Sequence, residues 1–164
     1  MQIRTIGKIG AFVVGLTLVA LFALALQIAR PSTAPMKESC VGTPQRVMLG
    51  DHTLSIEIAD TPETLRQGLS DRPRMARDHG MLFVFSDLDV RTFWMKGMEF
   101  PLDIIWIGPT RRVIGVAANA LPSDFPKTYV SPAPVAYVLE VNAGVADALR
   151  IATDTEVRFS DCTQ

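Results

Sequence analysis

Asp103 sits inside an apolar run, Leu102-Asp-Ile-Ile-Trp-Ile107. A strand would place it on one face with Ile105 and Ile107, opposite Leu102, Ile104 and Trp106. A carboxylate in that setting needs a partner or a shifted pKa, so it is either a tie that holds a turn or a working group in a cleft. Its expected partners are Lys96 across the turn Lys96-Gly-Met-Glu-Phe-Pro101, Arg72, or backbone amides of that turn. Glu57 and Glu140 fall on what alternation makes the polar faces of their strands. Either could join Asp103 in the paired carboxylates of general acid–base hydrolysis, provided the two converge from different strands.

Other chemistries find less support in the residues. No Gly-x-Ser-x-Gly elbow, phosphate-cradling glycine loop or lysine-activated serine is present, so no catalytic residue is assigned and an enzyme is the weaker expectation. Met75, His79, Met81, Met95 and Met98 lie near one another, and Met95-x-x-Met98 with His79 has the soft donors that suit Cu(I). Met81 and Met95, however, fall in apolar strands where methionine is ordinary filler. His52 and His79 are the only histidines, and no Cys/His spacing for zinc exists, so neither metal nor cofactor is expected. Trp94, Trp106, Phe100, Phe125 and Tyr129, with nearby charged groups, make the material of a sugar or peptide groove, or of a plain core.

The elements that would hold these residues are short. Gln45–Leu49 and His52–Ala59 flank Gly50-Asp51 as a hairpin, and Leu54, Ile56 and Ile58 alternate with polar residues. Thr61-Pro62-Glu63 starts a helix that Gly68 stops. Residues 72–79 read as an irregular crossing with one helical turn. Strands follow over 80–85, 91–95 and 102–107, then a Gly108-Pro109 turn and a return strand over 112–117. Residues 119–134 carry four prolines and read as a long loop. A strand over 135–141, a helix that Asn142 caps and that runs to Ile151, and a strand over 156–159 close the domain. The fold class is α+β: a compact, β-rich domain with a curled, barrel-like, mostly antiparallel sheet and two short helices.

Ahead of that domain, residues 9–29 are apolar except for Thr17 and Gln27. A run of about 20 residues matches the hydrocarbon core of a bilayer and exceeds the usual core of a signal peptide. Residues 1–30 are therefore expected to be a transmembrane anchor or, alternatively, a cleaved signal, and 31–44 a linker to a domain over 45–164. Arg4, Lys8 and the terminal amine leave the N-terminus cytoplasmic and the domain on the extracytoplasmic, periplasmic side. Cys40 and Cys162 lie at opposite ends of that domain. A bridge between them would close a loop of about 120 residues, contribute on the order of 4–5 kcal/mol, and persist only where conditions are oxidising. The alternative is two unpaired thiols. A net charge of −1 without a basic patch argues against nucleic acid as a partner.

The order of several motifs resembles the bacterial and archaeal family called domain of unknown function 192. These are Ile56-Glu-Ile-Ala-Asp-Thr-Pro62, Gly68-Leu69 with Arg72, Gly80-Met-Leu-Phe-Val-Phe85, Phe93-Trp-Met-Lys96, Pro101-Leu-Asp-Ile-Ile105 and Tyr137-Val-Leu-Glu-Val-Asn-Ala-Gly144. The resemblance covers residues of about 45 to 159. It implies a compact β-rich α+β domain, often behind a signal or anchor, with no assigned reaction. The chain departs from the family pattern at Ser70, where methionine is common, and at Gly97-Met98, where Asn-Thr is common. It also lacks the usual glycine within 152–155.

Together these readings give a ligand- or partner-binding module of the cell envelope. Its ligand-binding residues are expected to be Asp103, Lys96, Trp94, Phe100, Arg72 and Glu57, around a groove between the 96–101 turn and the 119–134 loop. A small polar ligand, glycan or peptide, or an envelope protein, is the expected partner. Asp103→Asn is expected to abolish capture without unfolding the domain. An envelope-glycan hydrolase or lyase with paired carboxylates, and a purely structural assembly partner, are the alternatives.

Overall fold

β-Branched and aromatic residues, broken every few positions by turn residues, build nine strands among the described residues: β1 (Arg46–Leu49), β2 (His52–Ala59), β3 (His79–Asp89), β4 (Thr92–Trp94), β5 (Leu102–Ile107), β6 (Val113–Ala120), β7 (Thr128–Val130), β8 (Val135–Asn142) and β9 (Val157–Ser160). The computed structural model describes residues 46–160. The segment 9–29 and both Cys40 and Cys162 lie outside the described residues. Among those that are described, no helix is long and apolar enough to cross a membrane.

Seven strands form one sheet in the order β6-β5-β8-β3-β2-β1-β9, and β4 pairs with β7 in a separate ribbon. All pairings are antiparallel except β2 with β3. That parallel step needs a crossover, which helix α1 (Pro62–Gln67) and the segment 68–78 supply. The sheet curls as a half-barrel until its edges approach. Arg112 bridges Glu156, and the Val157 amide donates to the Arg111 carbonyl.

Curling gives the sheet two buried faces. Val47, Leu54, Leu82, Ile105, Leu139 and Val141 fill the inner one, which the short helix α2 (Val145–Ala148) also packs through Ala146. Met81, Phe83, Ile104, Trp106 and Val138 face the other way and are covered by Leu69 after α1 and by Met95 after β4. β5 and β8 are interior strands covered on both faces, so every residue of β5 is buried. This is why Leu102–Ile107 reads as a continuous apolar run rather than an alternating one.

Two glycines let backbones approach. A Cβ on Gly80 would lie 2.8 Å from the Glu140 carbonyl oxygen across the β3–β8 pair. Gly68 ends α1 at a φ of +51°, and a Cβ there would meet the Phe83 ring at 3.2 Å. At the other end of α1, Thr61 and Thr64 form a reciprocal capping box ahead of Pro62.

The fold differs from the sequence expectation in three places. Residues 72–79 contain no helical turn; their carbonyls are instead held by Asn142, whose Nδ2 donates to Met75 and Ala76. Asn142 therefore caps no helix. α2 starts after Gly144, whose left-handed φ of +83° only glycine adopts without strain, and it is one turn long. The proline-rich loop contributes β7, because Thr128–Val130 pairs with the exposed edge of β4.

Candidate functional site

The only carboxylates buried in the described residues are Asp103 and Glu140, on neighbouring strands. Asp103 stands opposite Val141, and Ile104 stands opposite Glu140. Directly opposed residues share a face, so the two carboxylates point to opposite sides of the sheet.

Asp103 is 1% exposed and fully engaged. Its Oδ1 accepts the Asn119 amide at 2.8 Å and its Oδ2 accepts the Ala146 amide at 2.9 Å. Asn119 has a φ of +53°, a conformation asparagine tolerates. The side chain thus ties the end of β6 and the start of α2 to the middle of the sheet. This corrects the expected setting: its partners are amides of other elements, not the 96–101 turn, Lys96 or Arg72.

Glu140 is 5% exposed, buried between Met81 of β3 and Ile104 of β5. This corrects its placement on a polar strand face. Burial pushes its carboxyl up to about 8, with no compensating charge. Among the described residues no hydrogen-bond donor or cation meets it. Its carboxyl opens instead into a partly open cavity of about 400 Å³.

That cavity is bounded by the end of α1 (Leu65 to Ser70), by Phe83 and Phe85 of β3, by Val90 and Arg91, by Thr92, Phe93 and Trp94 of β4, and by Met98. Phe93 is set edge-on to Phe83 at 4.9 Å and to Trp106 at 5.5 Å, which fixes the back wall. Arg91 is held on every side but one. Its amide donates to Ser131 Oγ, its Nη2 donates to Asp87 Oδ1 at 2.5 Å, and its guanidinium lies 4.1 Å over the Phe85 ring. Its Nε is buried with no acceptor. Arg66, on the rim, makes no side-chain hydrogen bond or ion pair with the described residues.

Of the six expected ligand-binding residues, the structure brings one, Trp94, to this cavity. Trp94 is 54% exposed, edge-on to Phe125 at 6.3 Å, with the Lys96 ammonium 5.6 Å from its ring. Lys96 is thus beside the mouth, not across from Asp103. Phe100 packs half-buried against the core face that carries Trp106. Arg72 and Glu57 are a bidentate pair at 2.6 and 2.9 Å on the surface. The hydrogen bond from Arg72 holds the Glu57 carboxyl below its usual range. Glu57 does share a face and a row with Glu140, through Met81, but two strands away. Asp103 pairs with neither.

Two of the three positions at which the chain departs from the family pattern, Ser70 and Gly97-Met98, meet on one wall. Ser70 Oγ donates to the Lys96 carbonyl at 3.0 Å, and the Asp71 amide donates to Gly97 at 2.8 Å. Ser70 and Met98 both face the cavity. The methionine cluster is dispersed: Met81 and Met95 are core. Among the described residues no group of three or more His, Cys, Asp or Glu side chains is placed to hold a metal.

Sequence reading missed Arg91, Phe83, Phe85 and the partnerless state of Glu140. The last carries a visible signal: a lone acid in Val135-Ala-Tyr-Val-Leu-Glu-Val141, the same signature that singled out Asp103.

Similarity to known proteins extends over the whole described domain. A crystal structure of a protein from Sinorhizobium meliloti 1021, described as a candidate transcription regulator, is 34% identical with a TM-score of 0.66, covering 71% of this chain and 92% of that one. A protein of unknown function from Novosphingobium aromaticivorans DSM 12444 is 33% identical with a TM-score of 0.68, covering 80% of this chain and 94% of that one. No curated protein matches. The model of domain of unknown function 192 (DUF192), described as an uncharacterized ACR, matches residues 45–159, and the chain belongs to that family.

Proposed function

We propose that residues 45–164 are a small-ligand-binding module, carried on the extracytoplasmic side of a membrane by the 9–29 segment, whose ligand occupies the cavity above Glu140. One observation carries this reading: a buried carboxyl without a partner opens into a cavity of about 400 Å³. Its oxygens are reached from the cavity rather than sealed in the core, so whatever occupies the cavity completes their hydrogen bonding. The volume and the mix of aromatic walls with few polar groups suit a small molecule. The membrane placement rests on the apolar run and its basic flank alone. Nucleic acid is not part of this reading, since the chain has a net charge of −1 and no basic patch.

A second reading has its own support. Val90, Trp94, Phe125 and Val130 are exposed, and Trp94 touches Phe125 at the mouth. An apolar rim of this kind suits a protein partner closing over the cavity. The paired-carboxylate hydrolase is less favoured. Asp103 lies on the far face, and Glu57, the one carboxylate in the row of Glu140, is consumed by Arg72.

Native mass spectrometry of the full-length chain, isolated mildly from its own cells, tests the binding reading. A non-covalent adduct is expected on the wild type and is expected to be lost in Thr92→Trp, which fills the mouth from an exposed strand position. An adduct equally retained by Thr92→Trp would move the ligand elsewhere. A bare wild-type mass would remove the small-ligand reading and leave the partner reading ahead. The same spectrum reads the Cys40–Cys162 bridge as a mass deficit that reduction reverses.

A further inference from the structure

The ionisable groups that line the cavity, Arg66, Arg91 and Glu140, are hydrogen-bond donors or become donors. Arg91 brings its guanidinium to the wall, where Asp87 takes Nη2 and Nε is buried without an acceptor. Arg66 on α1 brings a second guanidinium to the rim. Glu140, 5% exposed and without a cation beside it, offers an acid O–H from the floor. Two donors of the α1 wall are already occupied: Gln67 Nε2 donates to the Ser70 carbonyl, and Ser70 Oγ donates to the Lys96 carbonyl. Between floor and mouth the lining is aromatic.

A ligand suited to this set carries acceptor oxygens and negative charge at one end and an apolar ring at the other. An ammonium ligand would meet two guanidinium groups and an acid that holds its proton. Resting on the ligand-binding reading above, we propose that the cavity takes a small organic carboxylate, its oxygens held by the Arg91 guanidinium and the Glu140 acid and its apolar body set against Phe83, Phe93 and Trp94. The charged groups around Glu140 fit this assignment. Arg66 on α1 is positive and unpaired with the described residues, and Arg91 before β4 is paired with Asp87. Glu57 on β2 is neutralised by Arg72, and Asp103 on β5 faces away.

The test uses four probes that share one ring: phenylacetate, phenylacetamide, 2-phenylethylamine and toluene. Each is titrated into the full-length chain at pH 7 against a protein-free blank, and read by calorimetry and by the Trp94 indole N–H signal. Phenylacetate is expected to bind about tenfold or more tightly than the amide, the amine or toluene. Its affinity is expected to fall as pH rises past about 8, where Glu140 ionises, and this fall is expected to vanish in Glu140→Gln, which keeps the shape and a donor. Preference for the amine, or an affinity that ignores pH from 7 to 9, would overturn the carboxylate assignment while leaving the cavity a ligand site. An acetylated tripeptide ending in phenylalanine that outbinds phenylacetate would overturn the small-molecule form in favour of a chain end. If no probe moves the Trp94 signal, toluene included, the binding-module reading itself falls.

Discussion

Asp103 and Glu140 occupy adjacent interior strands of one sheet, are buried to a similar degree, and carry the same functional group. Their surroundings differ completely. Asp103 faces the inside of the curl and accepts two backbone amides, one from Asn119 and one from Ala146. Glu140 faces the outside, meets no donor among the described residues, and is held neutral by burial. A buried acid alone therefore does not identify a site. What separates a structural carboxylate from an available one is whether the chain itself has already supplied its hydrogen bonds.

The strongest way to break this contrast is pH. The Glu140 carboxyl is raised from 4.5 to about 8 by desolvation, so the folded domain keeps a proton that the unfolded chain releases. Its stabilising contribution is complete below about 4.5 and is lost as pH rises to about 8, a change on the order of 4 kcal/mol. Urea denaturation at pH 5 and pH 8 is expected to show wild-type stability falling across that window. In Glu140→Gln the fall is expected to disappear. A wild-type profile that is flat there would mean that Glu140 has an unrecognised partner and that the two carboxylates are alike.

Asp103→Asn is expected to act next in size and through the fold. The amide keeps the shape but sets an NH2 group against a backbone N–H, at a cost of about 2–3 kcal/mol at pH 7. Phenylacetate affinity is expected to stay within twofold of wild type, because the side chain faces away from the cavity. Unchanged stability with abolished binding would reverse the roles of the two acids. Gly80→Ala follows, at about 1–3 kcal/mol by the same denaturation measurement, since its methyl would press on the Glu140 carbonyl at 2.8 Å and force β3 from β8. Because β8 carries Glu140, this variant is also expected to weaken phenylacetate, which Asp103→Asn is not.

Strands bounded by turn residues, and the capped helix at Thr61-Pro62, were legible in the sequence because their signals are local. Asp103 was legible as a buried acid because a charged residue interrupts an apolar run. Its partners were not, since Asn119 and Ala146 lie 16 and 43 residues away and reach it only through the curl of the sheet. Glu140 carries the same local signal, but alternation assigns faces without saying which are covered. Here α1 and the β4–β7 ribbon cover the outer face, which makes a polar-looking position a buried one. The ribbon itself depends on β7 pairing out of a proline-rich loop, a long-range event with no local pattern. The cavity walls therefore escaped the sequence, although Trp94 was singled out for its chemistry.

Glu57 supplies the smallest test and the sharpest control. It stands in the same row as Glu140 on the same face, with Met81 between them, yet it is exposed and paired with Arg72 at 2.6 Å. The Arg72 hydrogen bond lowers its carboxyl from 4.5, so its contribution is present above that value and is lost as pH falls below it. This is the opposite sign and a separate window from Glu140. With both side chains more than a third exposed, solvent screening limits the pair to about 0–1 kcal/mol. Glu57→Gln is expected to shift the urea midpoint slightly at pH 7 and progressively less as pH falls below 4.5, and to leave phenylacetate binding unchanged. A binding loss equal to that of Glu140→Gln would mean that the row acts as a unit across β2, β3 and β8. The contrast would then lie between the two faces of the sheet rather than between two residues.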